Sequence, residues 1–279
     1  MSDSLPARRD DAYARLNEAT IFAEAFNQLI APEDTGAFFL NVAHHFLNFR
    51  TALVLSLGSP AVTLARRGID SAEEQAMAGS MTAEHIEEMR HKVRLKVLPA
   101  PAGVENSIRI AVPFVYGGDL VAFAVLQYDR PTLGDDDSDI LRVLGRAAGS
   151  ALGRIIQAQK IEAERDYAEA IFHSMVSPII NVDTRGVIVK ANEAALQTLG
   201  ADIIGRPYGE SFGFMSFDPV GECLRSGIAQ HRVDAASRNG VLWGLTVSPL
   251  TVARKTIGVI AGFRDLSSLD SLRKQETAA

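Results

Sequence analysis

The stretch 139-DILRVLGRAAGSALGRIIQAQKIEAERDYAEAIFHSM-175 decides how this chain is organised. Leu141, Leu144, Ala148, Ala151, Ile155 and Ala158 recur at alternating three- and four-residue steps, the spacing of a coiled-coil-like seam. Asp135, Asp136, Asp137 and Ser138 stand just before it, where short acidic and hydroxyl side chains cap free N–H groups and complement the helix dipole. No proline interrupts the run until Pro178. Beyond Ala158 the seam turns polar at Glu162 and Arg165, then apolar at Ala168, Phe172 and Met175. We read one long helix that closes a domain before it, leads into a domain after it and pairs with its copy in a dimer. The alternative is two helices with a break between them.

Working outward, 279 residues suit two domains of ordinary size, and 47% apolar residues suffice for two cores. A net charge of −6, with no basic stripe, argues against direct nucleic-acid binding. The single cysteine, Cys223, leaves no intrachain disulfide and no multi-cysteine metal site. No apolar run reaches membrane-spanning length, and residues 1–10 lack the apolar core of a signal peptide, so a flexible N-terminus and a cytoplasmic location are expected.

Residues 11–31 are predicted as a helix ended by Pro32, and Asp34 to Asn48 as a second, with Phe38, Val42, His45 and Phe46 inward. Thr51–Leu57 is a β-rich run stopped by Gly58-Ser59-Pro60, and Val62–Arg66 would return beside it. Ser71–His91 is polar and helix-prone, with Met77, Met81 and Met89 interspersed. Ile108–Tyr116 and Leu120–Tyr128, joined through Gly117-Gly118, form the clearest hairpin in the chain.

This order resembles a GAF domain over residues 11–156. The resemblance is carried by Ile110-Ala111-Val112-Pro113-Phe114, Gly117-Gly118-Asp119-Leu120, Phe123-Ala124-Val125-Leu126 and the helix from Asp137 to Ile155. It implies a small-molecule pocket between the sheet and the middle excursion, here Ser71 to Ala102, with Phe114, Tyr116 and Tyr128 as lining candidates. Covalent bilin attachment and thiol-dependent chemistry fail for want of a cysteine in this half. His85 and His91 are weak haem-ligand candidates, set against solvated or core histidines.

In the second half, Ile179–Val182 and Val187–Lys190 flank the turn Asp183-Thr184-Arg185-Gly186, and Asn192 is placed to cap the helix it opens. An aromatic loop follows, with Tyr208, Phe212, Phe214 and Phe217, then a short helix over Pro219–Ser226. Three strands are expected at about 231–236, 242–252 and 257–265, with turns at Asn239-Gly240 and Arg254-Lys255.

Residues 168–265 resemble a PAS domain. The resemblance is carried by the run from Ser177 through Asn192-Glu193-Ala194-Ala195, by Ile204-Gly205-Arg206-Pro207, and by the close Gly262-Phe263-Arg264-Asp265-Leu266-Ser267. It implies a five-stranded antiparallel sheet with short helices across one face, any ligand lying between them. Phe212, Phe214, Met215, Trp243, Leu245 and Phe263 would line a pocket or fill it. Gly205-Arg206 is followed by Pro207 and Tyr208 rather than cysteine, which excludes LOV-type flavin adduct chemistry. Non-covalent flavin beside Trp243 stays open, as does haem, with His231 a weak ligand candidate; the cofactor is unknown.

Phe172-His173-Ser174-Met175-Val176-Ser177-Pro178 mimics a histidine-kinase phosphoacceptor box. The position after the histidine is Ser174 rather than acidic, and no glycine-rich phosphate cradle is present, so His173 is read as a helix residue. Residues 266–279 place Leu266, Leu269 and Leu272 on an output helix. The fold class is α+β: two domains, each a central antiparallel sheet flanked by helices, joined by the 139–175 helix. The expected function is a non-catalytic sensory module of bacterial signalling, homodimeric through that helix. It would drive a downstream kinase, transcriptional activator or cyclase, as a separate partner or a missing effector domain. A ligand-free assembly adaptor is the alternative. A small enzyme is a further one, for which neither a nucleophile–base arrangement nor a metal triad is found.

Overall fold

A computed structural model describes residues 5–58, 61–91, 93–99, 104 and 106–267, with side chains from 11 onward. The Ser59-Pro60 turn and the tail leucines 269 and 272 lie outside the described residues. Contacts divide the chain into two units, after Glu162.

The first unit opens with α1 (Leu5–Ala25), a 3-10 turn (Phe26–Gln28) and α2 (Pro32–Leu47). Pro32 starts α2 instead of ending α1: its fixed φ and missing N–H suit the first helical position. Asn48, at φ 43°, closes α2 in the left-handed conformation. Phe39 and Leu40 are the most buried large side chains of α2, whereas His45, expected inward, is exposed and meets Glu18. Then come β1 (Thr51–Ser56), β2 (Thr63–Arg67), α3 (Ser71–Gly79), α4 (Ala83–His91), β3 (Lys96–Leu98), β4 (Ile108–Tyr116) and β5 (Asp119–Tyr128). They make an antiparallel sheet in the order β2-β1-β5-β4-β3. The β4–β5 hairpin turns at Gly117-Gly118, both at positive φ. Both faces of this sheet are covered. Ile110, Val112, Phe114 and Tyr128 join the core under α1 and α2; Leu53, Ala111, Phe123 and Val125 face Met77, Met81 and Met89 of the excursion. That explains the unbroken apolar runs in β4 and β5.

A single helix, α5, runs from Asp135 to Ser174. Its first half belongs to the first core: Leu141, Leu144, Ala148 and Ala151 are fully buried there. Glycines let it lie directly on β4. A Cβ on Gly149 would stand 2.3 Å from the Val115 nitrogen, and one on Gly153 2.0 Å from the Tyr116 ring. Asp137, expected among the capping residues just before the helix, is buried and holds Arg15 at 3.1 Å and Arg130 at 2.8 Å.

The second unit contains β6 (Ile179–Asp183), β7 (Ile188–Ala191), α6 (Glu193–Leu199), α7 (Tyr208–Ser211), α8 (Pro219–Ser226), β8 (Gln230–Ala236), β9 (Leu242–Val252) and β10 (Lys255–Asp265). Its sheet order is β7-β6-β10-β9-β8. Burial alternates along β6 and the first half of β9, so one face is packed and the other is partly open. The β9–β10 hairpin turns at Ala253-Arg254, one residue earlier than expected, and both residues sit at positive φ without being glycine.

Candidate functional site

In the first unit, the space between the sheet and the excursion holds two cavities. One, of about 530 Å³, lies among Leu55, Thr63, Glu74, Met81, Ile86 and Phe123. Glu74 spans it, accepting a hydrogen bond from the Thr63 hydroxyl at 2.6 Å and one from Arg66 at 2.7 Å. These two contacts, Thr63 first, hold its carboxyl below the ordinary value. The second cavity, of about 200 Å³, is lined by Thr51, Glu73, Met77, Arg109 and Gln127, with Arg50 at its edge.

Pairing register explains the second cavity. Thr51 on β1 stands opposite Gln127 on β5, and Gln127 opposite Arg109 on β4. Three polar side chains thus form a row across the sheet on the excursion face, beneath α3. All three are buried, and the Arg109 Nε donates to Gln127 Oε1 at 3.1 Å. Arg109 was hidden in IRIAVPFVY and Gln127 in LVAFAVLQY. A charged residue inside a strand apolar on both faces was the signal available, because such a side chain must be buried with something to satisfy it.

Two larger clefts, of about 700 and 880 Å³, lie at the outer side of β4 around residues 93–95 and Arg142. Arg142 is exposed and already paired with Asp139 at 2.6 Å, so these clefts show surface charge rather than a desolvated site.

The pocket candidates from the GAF resemblance fall elsewhere. Phe114 and Tyr128 point into the core under α1, α2 and α5, and the Tyr116 hydroxyl reaches Gln157 on α5. Both faces of β4 and β5 are apolar, so the pattern did not tell which residues face the excursion. His85 sits at the start of α4 with Nδ1 3.3 Å from the Ser80 carbonyl oxygen. His91 is 76% exposed beside Glu87, and His231 is exposed on β8. None of the three lines either cavity.

In the second unit, Phe212, Trp243 and Phe263 are buried against each other, with centroids 5.1–6.1 Å apart and rings near perpendicular. Phe214 stacks on Phe212, and Leu245 is buried in the same core. Met215 is 69% exposed and stands apart. Edge-to-face packing of this kind fills the space between sheet and helices.

Asn192 is fully buried and does more than cap α6. Its Oδ1 accepts from the Ala195 and Ile179 N–H groups, and its Nδ2 donates to the Met175 and Ser177 carbonyls, at 2.8–3.1 Å. One amide joins the exit of α5, the start of β6 and the start of α6. Lys190 adds an ion pair to Glu169 at 2.6 Å and lies 5.6 Å from the Phe172 ring centroid.

The PAS-domain family model matches residues 167–231. No curated relative matches the sequence. Among solved structures, the chain is similar to one in the Escherichia coli DhaR(N)–DhaL complex, at 17% identity and TM-score 0.44, covering 88% of this chain and 90% of that one. It is also similar to the GAF domain of a putative sensor histidine kinase from Pseudomonas syringae pv. tomato, at 18% and 0.45, covering 57% and 97%. A third is the PAS domain of nitrogen regulation protein NR(II) from Vibrio parahaemolyticus, at 24% and 0.29, covering 35% and 96%. Among the described residues, no helix is long and apolar enough to cross a membrane.

Proposed function

We propose that the chain is a cytoplasmic, non-catalytic sensory module with residues 11–156 as a GAF-like domain and 168–265 as a PAS-like domain. A small molecule held between the first sheet and α3–α4 changes the packing of α5. The helix pairs with its copy and carries the change to the PAS-like domain and on to a separate signalling protein, a kinase, transcriptional activator or cyclase. The effector acts by its difference in affinity for two packings of the helical dimer.

The observation that carries this reading is the two-part character of α5. Its first half is buried in the first core, so a change there moves the helix. Its second half shows Ile161 at 66% and Ile171 at 40% exposure with Ala168 between them, and Met175, just past its end, is 43% exposed. Those four lie at seven-, three- and four-residue steps, one stripe of a dimeric coiled coil. Asn192 and Lys190 then tie the end of the helix to the second sheet. The ring-filled core of the second unit supports a relay that works without a cofactor.

Light scattering tests this. The wild-type chain is expected at twice its 30.1 kDa mass. Ile161→Glu with Ile171→Glu is expected at the monomer mass with unchanged folding, because both residues are exposed. A monomeric wild type, or a double variant that stays dimeric, would overturn the helical-dimer reading.

A further inference from the structure

The buried row Thr51–Gln127–Arg109 is only partly satisfied by its own contacts: the Thr51 hydroxyl donates to Met77 Sδ at 3.8 Å and Gln127 accepts from Arg109. Arg109 is 9% exposed, yet among the described residues its side chain donates one hydrogen bond, from Nε to Gln127. No described carboxylate comes within ion-pair distance of it. Glu73, at the rim on α3, acts on it only through space, and burial pulls the guanidinium below its ordinary value. An arginine carries five donors in a planar fork; the terminal nitrogens of this one make no hydrogen bond to a described residue and are not fully buried, so a ligand in the cavity that Arg109 lines can reach them. A fork of this shape matches a carboxylate by two parallel hydrogen bonds. The cavity is small, about 200 Å³. Its other walls are the apolar Met77, Ile69, Ala76 and Val104, with a second arginine, Arg50, also lining it.

Resting on the sensory reading above, we infer that this cavity binds a compact carboxylate, its oxygens on the Arg109 fork beside Gln127 and Thr51, and its short apolar chain against Met77 and Ile69. Glu73 at the rim gives the same site a counter-charge for an α-ammonium group, so simple acids and α-amino acids share the recognition chemistry and differ at that one residue.

The test is calorimetry and thermal shift on the full chain with acetate, propionate, isobutyrate, alanine and valine, each acid set against its amide. At least one acid is expected to bind and to raise the melting temperature, with its amide at least tenfold weaker. Arg109→Gln is expected to remove that preference, and Glu74→Gln, in the neighbouring cavity, to leave it unchanged. Weaker binding of amino acids on Glu73→Gln would assign the ammonium contact; unchanged binding would assign simple acids. Equal binding of acid and amide, or no binding by any acid, overturns the inference. The acid–amide comparison uses wild-type protein and stands even if Arg109→Gln fails to fold. A spin label at residue 168 in the same samples separates the two claims. A bound acid that leaves the helix unmoved rejects the sensory reading and keeps the site. A neutral molecule that moves it rejects the carboxylate and keeps the sensor.

Discussion

The two sheets of this protein share one strand order and are covered differently. In the first, strands two, one, five, four and three lie side by side between a helical layer and a helical excursion. In the second, the same order is packed on one face, and Val189, Val252 and Ile257 remain about half exposed. The first sheet keeps space and a buried cation under its excursion, whereas the second fills its covered face with Phe212, Trp243 and Phe263. The difference teaches that a common topology fixes where a ligand would sit, while side-chain volume and charge decide whether there is anything for it to meet.

The sharpest way to break this comparison is to put the same kind of substitution into both sheets. Gly149→Leu would push a side chain into the Val115 backbone and is expected to destabilise the first unit by about 3 kcal/mol, the upper range for overpacking. Gly262→Ala in the second sheet meets nothing nearer than 4.0 Å and is expected to be neutral or slightly stabilising. Denaturant unfolding followed separately in each unit checks both.

Next in size is Asn192→Ala, which leaves two N–H groups and two carbonyls of the second unit without partners. A loss of about 2–3 kcal/mol is expected in that unit. Asn192→Asp is a finer probe, since it sets a carboxylate oxygen against the Met175 and Ser177 carbonyls. It should recover the α6 cap but not the link to α5, read as partial recovery of stability with increased amide exchange at 175–177.

The two central hairpins give a smaller effect of opposite sign. Arg254, at φ 66°, occupies a conformation that costs a side-chain-bearing residue about 1 kcal/mol or more, so Arg254→Gly is expected to stabilise the second unit by about that amount. Gly118→Ala, at φ 96°, is expected to destabilise the first unit by a similar amount.

Acidification sharpens the comparison most gently. Burial, then the Arg67 charge, holds the His44 imidazole below its ordinary 6.5. The unfolded chain therefore binds that proton first, and the first unit loses stability as pH falls from about 6.5. His44→Gln should flatten this limb. In the second unit the Val187 N–H, with Arg185, holds the Asp183 carboxyl below 3.8. Its contribution is complete above the unfolded value and is lost only as pH drops below it through the folded one.

Much of this architecture was legible in the sequence. The Gly-Gly hairpin, the 219–226 helix and the long helix each carry a local signal, in turn residues, caps and period. Directions across a doubly covered sheet were not legible: Phe114 and Tyr128 face the helical layer, and only register could put Arg109 and Gln127 on the excursion side. The seam from Leu141 to Ile155 read as a dimer stripe because an apolar period looks the same whether the partner is another chain or the domain's own core. Gly145, Gly149 and Gly153, four residues apart, were the better clue, since such a stripe marks a helix lying against backbone. Asn192 was recognised as a cap, but its second pair of contacts joins residues 15 and 17 positions away, beyond the reach of a capping pattern.

The most direct test of the account is disulfide trapping along α5 in a Cys223→Ser background, with single cysteines at 161, 168 and 171 on the proposed stripe and at 166 and 173 on the opposite side. Mild oxidation is predicted to give covalent dimers at 161, 168 and 171 and not at 166 or 173. Equal trapping at all five positions, or none at any, would contradict a dimer that reads the first domain through this helix.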